Sequence, residues 1–313
     1  MSVQFDSSTR PVLKTLQPSD GKSLTEEKLL PSAPEARFSQ LYNRQSFQFD
    51  HQLAGNPLFE LPALVAYAKR MASRPEIVYW SNGKVRVGDG WSGPEGHRLS
   101  LLDTISGMAD NDSQILFKRM ELDSEYGPLI RGVISRLLGV VGPQLSEDVI
   151  IGRGTLLIAS PRRITAYHID SDTNFLFQVT GDKTISVYNH ADRTLIGHDE
   201  LEQYYSGNIN GAAFKQARQQ DGHDYDLRAG TGVHIPCMAP HWALNGDNLS
   251  VALSINFDLR SIARLARIYR FNHRLRRFGI RPAPPGSSQW RDQLKLAAAQ
   301  GLAAPRRILG RGN

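Results

Sequence analysis

The sequence predicts a mainly β protein, an antiparallel sandwich or barrel with flanking helices, on two observations. From about Val149 to Phe257, short apolar runs alternate with Gly, Asp, Asn and Pro turns, the rhythm of many closely spaced strands. Outside that stretch the apolar residues recur with helical spacing instead. At 313 residues, 40% hydrophobic and 22% charged, the chain can build one sizeable core with appendages.

Residues 1–35 are polar, with scattered Pro and Ser and no sustained periodicity, so a loosely ordered arm is expected. Residues 61–71 read as a helix that tolerates Pro62 in its first turn, where the missing N–H would have no helical partner. Residues 114–120 are strand-like, and a second helix is expected over 126–138. Strands are then expected at 155–159, 174–179, 184–188, 232–236 and 250–257. The predicted organisation is an arm at 1–35, a main domain at 36–257 with a helical first part and a β core from about 114, and a tail at 258–313.

The net charge of +6 is unevenly spread. Residues 258–313 hold thirteen Lys and Arg against two Asp, whereas residues 1–257 hold 24 Lys and Arg against 29 Asp and Glu. In the tail Arg260, Arg264, Arg267, Arg270, Arg274, Arg277 and Arg281 recur every three or four residues beside an apolar stripe of Ile262, Leu265, Ile268, Tyr269 and Leu275. This predicts a basic amphipathic helix ending near Gly279 and Pro282. Packing of the stripe on the domain or on a second subunit is the favoured use; nucleic acid, an acidic partner or anionic lipid is the alternative.

A single cysteine, Cys237, excludes an intrachain disulfide and fits a reducing cytoplasm. The N-terminal residues lack the apolar stretch of a signal peptide, and no apolar run approaches the ~20 residues of a membrane span. Cytoplasmic residence without a membrane span is therefore expected.

The chemistry concentrates at residues 165–183. On a strand, His168 and Asp170 project to one side, which supplies two thirds of a 2-His-1-carboxylate facial triad. Such a triad leaves one face of a metal open, unlike a closed tetrahedral zinc site. The third ligand must come from another strand, and the chain has nine histidines. His241 follows a strand and a Pro-bounded turn, and it is preferred over its rival His234, which lies earlier in that strand. His190, His198, His223 and His273 lie in polar or basic surroundings and are read as solvent-exposed. Among Phe175, Phe177, Tyr167, Tyr188 and Trp242, alternate members are expected to line the pocket. Arg162 and Arg163 either meet an acidic substrate or belong to a solvated turn, and the turn is favoured.

Residues 165–188 together with 230–257 resemble the Jumonji-C, cupin-like branch of the Fe(II)- and 2-oxoglutarate-dependent oxygenases, with the asparaginyl-hydroxylase type most similar. The pattern is carried by Thr165, His168, Asp170, Asn174, Gln178, Gly181 and Lys183, then by Ile235-Pro236, His241 and Asn256. The resemblance implies a double-stranded β-helix, or jelly roll, with Fe(II) held by His168, Asp170 and His241. It further implies 2-oxoglutarate as cosubstrate and O₂ as oxidant. Lys183, expected on the strand paired with that of His168, would meet the remote carboxylate of 2-oxoglutarate together with the Thr165 hydroxyl. Asn174 and Asn256 would serve the metal-proximal end as amide donors.

The sequence departs from the pattern in having no tyrosine at 115–119, where the family contributes one to the cosubstrate carboxylate. The implied activity is hydroxylation of a C–H bond in a peptide, protein side chain or small amino-acid-like molecule, with succinate and CO₂ as co-products. The alternatives are a demethylase, an RNA-modifying oxygenase, a non-catalytic metal-binding regulator using its tail for DNA, or a Zn(II)- or Mn(II)-dependent isomerase in the same barrel, against which Lys183 and Thr165 argue. A homodimer through the C-terminal helices is also expected by this resemblance.

Overall fold

A computed structural model describes residues 35–91 and 99–303. The strands among them are β1 (Phe47–Asp50), β2 (Val78–Asn82), β3 (Ser113–Lys118), β4 (Val149–Ala159), β5 (Ile164–His168), β6 (Thr173–Thr180), β7 (Asp182–Val187), β8 (His223–Arg228), β9 (Thr231–Ile235), β10 (His241–Asn245) and β11 (Ser250–Leu259). The helices are α1 (Glu35–Leu41), α2 (Leu61–Met71), α3 (Leu101–Ser106), α4 (Gly127–Val141), α5 (Pro143–Ser146), α6 (His198–Tyr205), α7 (Arg260–Arg277) and α8 (Gln289–Ala303). The arm expected at 1–35 lies outside the described residues except for Glu35, which opens α1.

Two antiparallel sheets oppose each other, one in the order β1-β9-β6-β11-β4-β3-β2 and the other β5-β10-β7-β8. Consecutive strands alternate between the sheets along much of β4–β11, which is the winding of a double-stranded β-helix. The apolar runs of the sequence are its central strands. β6 is buried along seven of its eight residues because Phe175, Phe177 and Val179 face helices while Leu176 faces the other sheet. The edge strand β8 instead alternates exposed and buried, with Tyr225 and Leu227 turned inward.

Apolar side chains separate into three layers. The outer face of the large sheet packs Phe117, Leu156, Phe177, Leu253 and Phe257 against Leu64, Tyr67, Ile130 and Leu137 of α2 and α4. Between the sheets lie Leu176, Ile185, Val187, Val233, Ile235 and Ala252. Beneath α6 and α7, the outer face of the small sheet contributes Tyr167, Tyr188 and Trp242. Alternate members of the five aromatic residues are expected to line the pocket, but none does: register turns each to an outer face, and aliphatic side chains fill the interior instead.

The tail packs on its own chain. Ile262, Leu265 and Tyr269 of α7 join the layer under α6, the Tyr269 ring stacks on Tyr205 at 5.6 Å, and Arg276 forms a two-pronged ion pair with the buried Glu202. The stripe is therefore consumed within the chain. No helix among the described residues is long and apolar enough to cross a membrane.

Candidate metal centre

β5 ends on His168 and β10 begins on His241, and these two residues are partners across the strand pair. The register slips between His241 and Ala243, a bulge that re-aims the imidazole at the end of the sheet. Asp170 lies two residues beyond β5, and its carbonyl accepts the Met238 N–H at 2.8 Å. That bond ties the loop bearing Asp170 to the turn that launches His241. Met238 adopts φ 59°, a left-handed conformation that a non-glycine residue holds only when its surroundings fix it.

Nδ1 of His168 donates to the Ala166 carbonyl at 2.7 Å, and Nδ1 of His241 donates to the Ala239 carbonyl at 2.9 Å. A carbonyl only accepts, so both Nδ1 atoms carry hydrogen and both Nε2 lone pairs are free. Those Nε2 atoms stand 3.8 and 3.7 Å from the Asp170 carboxylate, and one ligand atom of each residue lies within 4.8 Å of the others. Two donors each ~2.1 Å from a metal can stand up to ~4 Å apart, so each histidine is within reach of an ion shared with Asp170, and the three together could hold one. Burial, then the neighbouring His168, pushes the His241 imidazole down to about 4, which keeps it a neutral donor at pH 7.

His234 is the core residue. It is wholly buried, stacks with Tyr42 and Phe175, donates from Nδ1 to the Asn174 carbonyl, and accepts the Asn43 N–H on Nε2. With both nitrogens engaged it has no lone pair for a metal. Of the histidines read as exposed, only His223 is; His190, His198 and His273 are half-buried, and His198 bonds the Tyr269 hydroxyl.

Lys183 lies on β7, which pairs with β10 and β8; the expected pairing with the His168 strand does not occur, because β10 lies between them. The consequence for direction is small. Lys183 pairs with Asn245 and Leu227, Ile185 with Ala243, and Val187 with His241, so Lys183 shares the inward face with His241. Thr165, opposite Ala243, projects from that face too. Four residues of strand, ~13 Å, separate Lys183 from Val187 and so from His241. The Lys183 ammonium is buried and has no carboxylate or hydrogen-bond acceptor among the described residues, and burial lowers it to about 8. Its turn depends on Gly181 at φ 73°, where a Cβ would strike the Leu249 carbonyl.

On the opposing sheet, Asn174 and Asn256 are register partners, and the Ser254 hydroxyl is shared between their amide oxygens at 3.0 and 2.7 Å. The Asn256 amide donates to Asp172 at 3.1 Å, whereas the Asn174 amide nitrogen has no partner among the described residues. Asn256 thus orients the loop beside the triad, and Asn174 retains the free donor. Burial and the Asp170 charge hold Asp172 up at about 8.

Sequence patterns did not reveal the side wall. The Trp91 ring lies 5.4 Å from His168 and stacks on Tyr79 at 5.7 Å. Asn210 accepts the Trp91 N–H and donates to its carbonyl, fixing the loop. Arg163 is not solvated: its buried guanidinium donates to the Gly83 and Asp112 carbonyls, while Arg162 occupies the exposed turn.

A double-stranded β-helix with two histidines and an aspartate converging at one end defines a cupin-type barrel with a cluster that could hold a metal ion. No family model matches the sequence, and no curated protein matches it. Solved structures similar to this chain include the ribosomal oxygenase YcfD of Escherichia coli, with TM-score 0.48 and 14% identity over 88% of this chain and 68% of that one. The same enzyme in complex with cobalt and 2-oxoglutarate gives TM-score 0.47 and 14% identity over 89% and 69%. A Pseudomonas putida prolyl-4-hydroxylase gives TM-score 0.40 and 13% identity over 71% and 97%.

Proposed function

We propose that this chain is an Fe(II)- and 2-oxoglutarate-dependent oxygenase that hydroxylates a C–H bond in a peptide, protein side chain or small amino-acid-like substrate. The observation that carries the reading is one inward face with two histidines and a neighbouring aspartate that could hold a metal at one end, and at the other a buried ammonium without a partner among the described residues. A dicarboxylic keto acid needs both: a chelating end for the metal and a cation for the remote carboxylate. A metal isomerase of the same fold would need only the first.

His168, Asp170 and His241 would hold the ion, and their backbone-bonded Nδ1 atoms fix both imidazole planes before it arrives. Bound iron with 2-oxoglutarate and O₂ supplies oxidative decarboxylation to succinate and CO₂ and transfer of oxygen to a C–H bond. Lys183 and Thr165 would orient the cosubstrate, and Asn174 would donate to its metal-proximal carboxylate. Ile185, Val187, Val233 and Ala252 exclude water between the ends. The protein would work in the cytoplasm, where iron stays ferrous. With the α7 stripe covered, the expected homodimer through the C-terminal helices would draw on the exposed Phe278, Ile280, Trp290 and Leu294.

Anaerobic titration of Fe(II)-loaded protein with 2-oxoglutarate should raise a visible metal-to-ligand charge-transfer band. Lys183→Ala should keep metal binding and weaken the cosubstrate. A saturated site without the band would reject the assignment.

A further inference from the structure

Nine arginines and no carboxylate occupy residues 259–291. Arg276 pairs with Glu202, Arg270 donates to the Tyr205 carbonyl, and Arg260 donates to the Glu147 carbonyl. Arg264, Arg267, Arg274 and Arg281 are exposed and have no carboxylate or hydrogen-bond partner among the described residues.

Their placement is ordered. At 3.6 residues per turn, positions 260, 264, 267, 271, 274 and 278 fall within an arc of roughly 80°. That arc lies opposite Leu265, Ile268, Tyr269 and Asn272, the side on which α7 is packed. Along it run Arg260, Arg264, Arg267, Phe271, Arg274 and Phe278, and the Phe278 ring is 83% exposed. The arginines disfavour one another: Arg267 and Arg274 help hold the guanidinium of Arg270 below its ordinary range, after burial. Carboxylates meet α7 at its start, where Asp148 bonds Ser261, and on the α6 side, where Glu202 holds Arg276, so the row of like charges between them is relieved by a polyanion.

We propose that this face of α7 and the turn after it bind single-stranded nucleic acid, with phosphates on Arg264, Arg267 and Arg274 of the helix and on Arg281 beyond its end, and a base stacked on Phe278. A lipid surface fits poorly, because an interfacial helix must insert its apolar face and that of α7 is buried on α6. An acidic protein segment would satisfy the arginines but leave the phenylalanine without a planar partner, whereas every base has a face for it. The proposal does not depend on the metal-site reading.

The test uses the full chain and fluorescein-labelled 20-mers of thymidylate and of uridylate, read by anisotropy. Four neutralised phosphates give a slope of log K against log[salt] near −3, about 50-fold weaker binding at 200 mM than at 50 mM salt. Combined Arg264→Ala, Arg267→Ala and Arg274→Ala should weaken binding about 100-fold at 0.1 M salt. Alanine at exposed helix sites preserves helicity, and an unchanged melting temperature verifies the fold. Phe278→Ala should cost about 5-fold or more. A charge-reversing Arg267→Glu variant provides a second, independent loss.

No binding at 50 mM salt, or binding untouched by the arginine variants, overturns the proposal. Equal affinity for polyglutamate would make the partner an acidic protein, and equal affinity for vesicles with 20% anionic lipid would make it a membrane; either result also overturns it.

Discussion

Replacing Lys183 by Met separates a residue kept for binding from one kept for stability. Burial lowers the ammonium from 10.5 to about 8, with no opposing carboxylate to offset it. At pH 7 the folded apo-protein must hold that charge, at a cost of about 3 kcal/mol, from 1.36 kcal/mol per pKa unit. The sign follows from proton uptake: the unfolded chain binds the proton more tightly, so the penalty is complete below about pH 8 and vanishes as pH rises towards 10.5. Methionine matches the stem and removes the charge, so Lys183→Met should stabilise the apo-protein by up to about 3 kcal/mol at pH 7, roughly 5 °C in Tm for a chain of this size. Wild type should gain stability between pH 8 and 10.5 where the variant does not.

The same change should abolish the response to cosubstrate. Wild type loaded with cobalt should gain about 2.7 kcal/mol at 2-oxoglutarate concentrations 100 times Kd, and the variant close to none. Scanning calorimetry of both proteins, with and without ligand, reads all of these quantities. A variant less stable than wild type, or one still stabilised by 2-oxoglutarate, would refute the reasoning.

Burial holds His51 at about 4 and His234 at about 3, below the 6.5 of the unfolded chain. Stability should therefore fall as pH drops from about 6.5 towards 4, by up to about 2.7 kcal/mol per pH unit for the pair; flat urea midpoints over that range would contradict it. Asp170→Ala should leave the far-ultraviolet dichroism unchanged and weaken cobalt affinity by at least about 100-fold, measured by competition with a chelating dye. Gly181→Ala should destabilise by about 2 kcal/mol or more in urea, since its φ is positive and a Cβ meets the Leu249 carbonyl; a neutral result would mean that the turn before Lys183 relaxes freely.

The central strands and long helices were legible because burial on both faces, or on one stripe, imposes an apolar pattern. Residues 61–71 are helical as predicted, and the core runs near 155, 175, 185, 233 and 253 are strands. Edge and site-bearing strands carry mixed side chains and gave no such pattern: β8 alternates Asp, Tyr, Asp and Leu, and β5 and β10 are short. His168, Asp170 and His241 were recognisable by type and spacing, and the structure brings them together. The pairing of β7 was not, because strand order between sheets is a long-range choice that leaves no local mark. Trp91 meets His168 from a loop that Asn210, 119 residues away, holds in place, a contact that periodicity cannot show.

The hydrogen bond from Met238 to the Asp170 carbonyl has a consequence for when the protein can acquire metal. It joins segments that share no strand, so the geometry it fixes depends on the small sheet and on the bulge in β10. Without them the candidate ligands are separate side chains on an extended polymer, with no chelate to offer. Tight binding of an ion by these side chains should therefore require the folded chain, and cobalt affinity followed through a urea titration should collapse with the unfolding transition rather than before it.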